Sequence, residues 1–344
     1  MPRYPMAGLA EARREARARG VDVIDLGAGD SDLAPPPAAV TALSASLSDP
    51  ETSRYPFQLG LPEFREAVAS FMSMRFGVDL DPYTQLLPLI GSKEGIAKLP
   101  LAVLDPGDVA ILPDPGYQAY FGGVTFAGGQ PWGVPLRPEH DFLIPWDDVP
   151  ASVLERTRLV FINYPNNPTA ATAPDDWIRQ TIEICREHRI VLAHDHAYSE
   201  VAFDGYRPRS VLEFDGAEDV AVEFHSMSKT YNMTGWRLGW VAGRADVVGR
   251  LSRVKTFMDT GVFKAVQAAG VAALESHDGW VPSNIEIFQE RRDASVEALR
   301  RADFELEAPR ATMYLWIPVP GGEPSVDFAR RAFEEKGVVV VPGA

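Results

Sequence analysis

At 344 residues the chain is long enough for about two domains with a large buried core. Hydrophobic residues make up 46% and charged residues 24%, the balance of a globular protein rather than a disordered one. A net charge of −15 argues against nucleic-acid binding, and a single cysteine, Cys185, excludes an intrachain disulfide.

Residues 9–20 are rich in Ala, Arg and Glu and predict a helix that ends at Gly20. Gly27 and Gly29 hint at a dinucleotide fingerprint, but Asp32 stands where its third glycine would be, so a Rossmann site is unsupported. Pro35, Pro36 and Pro37 then break the pattern before a second helix. From about residue 85 to 245, short apolar runs at 86–90, 109–112, 159–162, 191–193, 220–224 and 238–241 alternate with helical stretches. That alternation predicts an α/β fold whose mostly parallel sheet is flanked by helices. Residues 177–187 pattern as an amphipathic helix with Cys185 on its apolar side, a core position rather than a catalytic one. After Asn284 a long charged helix runs to about Arg301, and residues 312–318 read as a strand of a second, smaller domain. No run approaches a membrane span and no signal-peptide core opens the chain, so a cytoplasmic protein is expected.

The chemistry concentrates where the apolar runs end. Residues 219–225 read as a buried strand, and Ser226-Met-Ser-Lys-Thr-Tyr-Asn-Met-Thr-Gly-Trp-Arg237 follows it. Lys229 therefore sits at a strand end among the hydroxyls of Ser226, Ser228 and Thr230, with the guanidinium of Arg237 eight residues on. Such a set can hold a phosphate beside a nucleophilic amine, as a lysine Schiff base with pyridoxal 5′-phosphate requires. A surface lysine is the bland alternative, and a P-loop is excluded because residues 222–228 contain no glycine. The partners elsewhere favour the cofactor. Asp195 ends the run 190–195, where a carboxylate could keep a pyridine nitrogen protonated, and Tyr198 lies three residues on, within reach of the phenolic oxygen. Asn163-Tyr-Pro-Asn-Asn-Pro-Thr169 forms a proline-stiffened turn that aims Asn167 at the same edge. Gly91-Ser-Lys-Glu94 opens a helix whose N-terminus suits phosphate, and Asp114-Pro-Gly-Tyr117 can present a flat aromatic platform. His194 and His196 share a strand face, but no third ligand is evident in the sequence and no metal is expected.

With these residues in place, the chain resembles the fold-type I pyridoxal phosphate enzymes of the class I/II aminotransferases, from Asp25-Leu-Gly-Ala-Gly29 to Gly337-Val-Val-Val-Val-Pro342. Within them, residues 54–67, 87–96 and 224–237 look most like the LL-diaminopimelate aminotransferases of lysine biosynthesis. The resemblance implies a large cofactor-binding domain at 46–283 and a small α+β domain from 1–45 and 284–344, its C-terminal part incomplete. It implies that Lys229 forms the Schiff base and shuttles the proton, that Asp195 pairs the ring nitrogen, and that Asn167 and Tyr198 bond the phenolic oxygen. Tyr117 would stack on the ring, while Ser92, Lys93, Ser226 and Arg237 would hold the phosphate. Tyr55 matches a tyrosine that reaches the neighbouring subunit's phosphate, which implies a homodimer with shared sites. Gly29 and Asn167 would lie beside the bound substrate, an L-amino acid or a 2-oxo acid. Two departures stand out. Ala170 replaces the glycine many relatives carry, and the family's pattern continues past Pro342 into a stretch bearing an arginine for the substrate's α-carboxylate, whereas this sequence ends at Ala344. The cofactor's anchors all precede residue 240, so cofactor binding is expected to need nothing beyond Ala344, whereas substrate binding is expected to need a carboxylate partner not identified in the sequence. Aspartate or aromatic transamination, a carbon–sulfur lyase reaction and a non-catalytic cofactor-binding module remain the alternative readings.

Overall fold

The computed structural model describes residues 9–27, 29–57 and 59–343. They fall into two compact units. The larger takes Ser31–Arg292 with Pro309–Leu315, and the smaller takes the described parts of Met1–Asp30, Asp293–Ala308 and Trp316–Ala344.

The larger unit is built on a seven-stranded sheet. Its strands are β2 (Leu86–Leu89), β3 (Val109–Asp114), β4 (Gln130–Pro135), β5 (Thr157–Ile162), β6 (Val191–Asp195), β7 (Ala221–Ser226) and β8 (Gly239–Gly243). They lie in the order β2-β8-β7-β6-β5-β3-β4, parallel except that β8 runs against both of its neighbours. Side chains along a strand alternate between faces, and both faces here are covered. Leu159 and Phe161 of β5 pack with Ile96 and Leu99 of α4 (Ser92–Val103) and Tyr120 of α5 (Gln118–Phe126). Val160 and Ile162 turn the other way, onto Ile178, Ile182 and Cys185 of α7 (Asp175–His188). Each such fully buried aliphatic side chain contributes about 1.5–3 kcal/mol, so the sheet sits between two apolar layers that hold its strand ends in fixed register. Cys185 is fully buried and its thiol is pushed well up by desolvation, as a core residue should be.

The smaller unit carries α1 (Leu9–Ala18), ended near Gly20 in its left-handed conformation, and α12 (Ser325–Lys336). Its strands β1 (Ile24–Asp25) and β9 (Val338–Val339) pair in parallel, and Arg13 is joined to Asp25 by an ion pair.

Several elements differ from the sequence reading, each for a local reason. β4 is additional; Pro131 and Gly133 obscure it, and a proline is tolerated there because β4 is an edge strand. The helix expected after Asn284 starts earlier, as α11 (His277–Arg301), with Pro282 in its interior. Residues 312–318 are not a strand: Thr312 has φ +74°, which breaks an extended run, and only Ala311 bridges, to Ala202 of the larger unit. The compact units also divide the chain differently from boundaries at 45/46 and 283/284. α2 (Pro37–Ser46) packs on α10 (Lys264–Glu275), Asn284 accepts from Asn232, and Arg292 is paired with Asp204, all within the larger unit. Residues 1–8 of the expected small domain lie outside the described residues.

Candidate active site

Every candidate residue of the larger unit except Tyr55 lies at one edge of the sheet. β2, β3, β5, β6 and β7 all end there, and antiparallel β8 begins there, with Leu89, Gly239 and Ser226 in register across β2, β8 and β7. Ser92 and Lys93 follow β2, Tyr117 follows β3, Asn167 follows β5, Tyr198 follows β6, and Lys229 follows β7 in the short helix Met227–Thr230. Arg237 precedes β8. The carboxyl edge of a parallel sheet is where open α/β folds bind ligands, because strand ends there leave polar backbone and loop side chains uncovered.

On one flank the edge is arranged for an anion. The first turn of α4 opens at Ser92, so its dipole presents positive charge. Gly91 has φ +72°, and a Cβ there would collide with the guanidinium of Arg237. A Cβ on Gly239 would lie 3.0 Å from the Ser92 nitrogen. Glycine at these two positions lets α4, β8 and Arg237 come together. The guanidinium is aimed by Nη1, which donates to Thr234 O at 2.7 Å and to Ser228 Oγ at 3.4 Å. Ser226 Oγ caps the Met227–Thr230 turn by accepting from Ser228 N at 3.2 Å.

The other flank is buried and carboxylate-centred. Asp195 is 6% exposed; its Oδ2 accepts from the Tyr120 hydroxyl at 2.8 Å, and its carbonyl accepts from Asn163 Nδ2 at 2.6 Å. Oδ1 is buried with no hydrogen-bond partner. Burial pushes this carboxyl up to about 6, even though the Tyr120 hydroxyl and the charge of His194 pull it down. Asn163 Oδ1 also accepts from Asn167 N at 2.7 Å, so one side chain ties the Asn167 turn to the backbone of Asp195. That turn has cis bonds before Pro165 and Pro168, and Ala170 within it has φ +61°. The alanine departure therefore falls on a left-handed residue, at a cost on the order of 1–2 kcal/mol that glycine would not carry. Tyr198 is buried, its hydroxyl 2.6 Å from that of Tyr314, and the Lys93 ammonium lies 5.6 Å from the centre of the half-buried Tyr117 ring.

Tyr55 is not part of this cluster: it is 69% exposed, with its ring facing Phe57 at 6.4 Å. Gly29 belongs to the smaller unit. Tyr120, Asn163 and Tyr314 were missed as polar partners. The i, i+3 spacing of Tyr117 and Tyr120 hinted at one of them, while Tyr314 lies too far along the chain for any local signal. The sequence also showed no third group beside His194 and His196, but β6–β7 pairing puts His194 opposite Glu223. Glu223 Oε2 lies 2.8 Å from His194 Nδ1 and 3.2 Å from His196 Nδ1, and Oε1 lies 2.7 Å from His225 Nε2. Ser210 Oγ and Val211 N also donate to this carboxylate. Burial works against its charge, yet the surrounding histidines, His196 foremost, hold Glu223 well below the usual range. The carboxylate is hydrogen-bonded by His194, His225, Ser210 and Val211 and so ties β6, β7 and the Ser210 turn together, while His196 Nδ1 faces it without a hydrogen bond.

The aminotransferase class I and II family model matches residues 21–344. The chain belongs to this aminotransferase family. It is 47% identical over 344 residues to an LL-diaminopimelate aminotransferase of Syntrophobacter fumaroxidans, covering 100% of this chain and 89% of the relative. An LL-diaminopimelate aminotransferase of Desulforudis audaxviator is 48% identical over 343 residues, covering 100% and 88%. Among solved structures, substrate-bound BacF of Bacillus subtilis superposes with a TM-score of 0.94 at 33% identity, over 99% of this chain and 87% of that one. As an aminotransferase of this family, the chain has a fold-type I α/β architecture with a mostly parallel central sheet flanked by helices.

Proposed function

We propose that this aminotransferase binds pyridoxal 5′-phosphate at the sheet edge and moves an amino group from LL-diaminopimelate to 2-oxoglutarate. The observation that carries the cofactor is Asp195: a buried carboxylate with one oxygen satisfied and the other lacking a donor fits a protonated ring nitrogen. The opposite flank fits a phosphate, with a helix N-terminus, Ser226 and Arg237 around a glycine-lined approach. When bound, this cofactor supplies an electron-poor ring that stabilises negative charge on a substrate carbon.

In this reading the Lys229 amine would hold the cofactor covalently through its aldehyde carbon. The same amine would also move a proton between substrate Cα and cofactor C4′. Asp195 would keep the ring nitrogen protonated, Asn167 and Tyr198 would donate to the phenolic oxygen, and Tyr117 would cover the ring. Ser92, Lys93, Ser226 and Arg237 would hold the phosphate, and Asn167 would lie beside the substrate. A cytoplasmic location is part of the proposal; among the described residues no helix is long and apolar enough to cross a membrane.

The substrate rests on the shared name of relatives at 47% and 48% identity. Its test is a donor screen with 2-oxoglutarate as acceptor, read as glutamate formed. LL-diaminopimelate should give the highest kcat/KM among LL-diaminopimelate, aspartate, alanine and aromatic amino acids. Preference for aspartate or phenylalanine would remove the named substrate while leaving the reaction class standing.

The proposal includes a homodimer in which Tyr55 reaches the partner's phosphate site. Tyr55 is 69% exposed on the larger unit, so a second copy could reach it. Mixed and re-equilibrated Tyr55→Ala and Lys229→Ala subunits should recover about a quarter of wild-type activity, because half of the dimers then hold one intact site. Verified subunit exchange without recovery, starting from two inactive parents, would rule out sharing.

A further inference from the structure

We propose that Tyr120 is a positioning residue: its hydroxyl fixes one oxygen of Asp195 and so presents the other to the cofactor's ring nitrogen. This inference rests on the pyridoxal phosphate reading above and concerns a residue that reading does not use.

Three observations carry it. The first is the bond itself, 2.8 Å from Tyr120 Oη to Asp195 Oδ2 between two buried side chains. Its direction is fixed, because burial and the neighbouring carboxylate raise the phenol well above its ordinary range. A phenol that keeps its proton can only donate to a carboxylate. The second is the asymmetry of that carboxylate. Oδ2 and the main-chain carbonyl are held, by Tyr120 and Asn163, whereas Oδ1 is buried without a partner. The third is that Tyr120 cannot swing away. Its ring stacks on Phe161 at 4.6 Å with an interplanar angle of 14° and meets the Tyr117 ring edge-on at 5.8 Å. The same helix turn thus places Tyr117 at the site and anchors Tyr120 behind it.

The hydroxyl has a second consequence. A donor on one carboxylate oxygen disperses its charge and lowers its proton affinity. Without that donor, Asp195 is the stronger base and draws the shared proton away from the ring nitrogen. Phenylalanine at 120 isolates this effect, since it keeps the ring stacked on Phe161 and removes one oxygen.

The test compares wild type and Tyr120→Phe, each reconstituted with pyridoxal phosphate carrying 15N in the ring. The resonance of that nitrogen, kcat and KM for the amino donor, and melting temperature are measured together. Expected in the variant are a 15N resonance moved towards unprotonated pyridine and a kcat lowered about tenfold at nearly unchanged KM. An identical 15N resonance in the two proteins overturns the proposal, and a lowered melting temperature beside that unchanged resonance would mark Tyr120 as packing alone. Wild type that takes up no pyridoxal phosphate would instead overturn the parent reading, and this inference with it.

Discussion

Lys229→Ala is expected to lower transamination by roughly 10⁴-fold or more, since in the proposed role one amine supplies both the covalent attachment and the proton transfer. The residue follows β7 in a short turn capped by Ser226, with Ser228 and Thr230 buried on either side of it. Lys93 is the other lysine at this edge, in the first turn of α4 and 5.6 Å from the centre of the Tyr117 ring. Lys98 of α4 and Lys255 of α9 (Ala245–Thr256) are engaged by Glu94 and Asp259. Steady-state glutamate formation checks the loss. The variant should still bind pyridoxal phosphate through the other flanking groups, so dialysis of the bound cofactor separates lost chemistry from lost binding. Retention of more than about a hundredth of wild-type kcat would be incompatible with that dual role.

Asp195→Ala is the second large effect. Removing the carboxylate would leave the ring nitrogen of the proposed cofactor without the negative charge that keeps it protonated, and leaves the Tyr120 hydroxyl without its acceptor. The expected loss in kcat is on the order of 10²–10³-fold, about 3–4 kcal/mol of barrier. The conservative variant Asp195→Asn should fall almost as far, because an amide fills the space yet carries no charge. Near-normal kcat in Asp195→Asn would show that shape rather than charge is what this position supplies.

The two effects draw on different parts of the molecule, and the sequence revealed them unequally. β3, β5, β6, β7 and β8 were legible because each is an apolar run with a polar turn behind it. The same punctuation marked Tyr117, Asn167, Asp195 and Lys229 as strand-end residues. What stayed hidden was whatever depends on neighbouring strands. Glu223 reads as one charged residue in an apolar run, and only the pairing of β6 with β7 sets it against His194 and His196. Tyr120 reads as one more apolar position of α5 until β6 places Asp195 against its hydroxyl. Residues 312–318 misled in the opposite sense: their composition is that of a strand, but the left-handed Thr312 interrupts it. Tyr314, two residues on, instead meets Tyr198. Local pattern thus located the edge of the sheet, while register and tertiary packing decided which polar atoms meet there.

The central claim is that the Lys229 amine carries the cofactor, and borohydride reduction followed by peptide mass mapping tests it most directly. Wild-type protein reconstituted with pyridoxal phosphate and reduced should gain a phosphopyridoxyl group, the cofactor's mass less one oxygen, on the one peptide that contains Lys229, and Lys229→Ala should gain none. A mass increment on Lys93, Lys98 or Lys255 instead, or no increment in the wild type, would contradict the account.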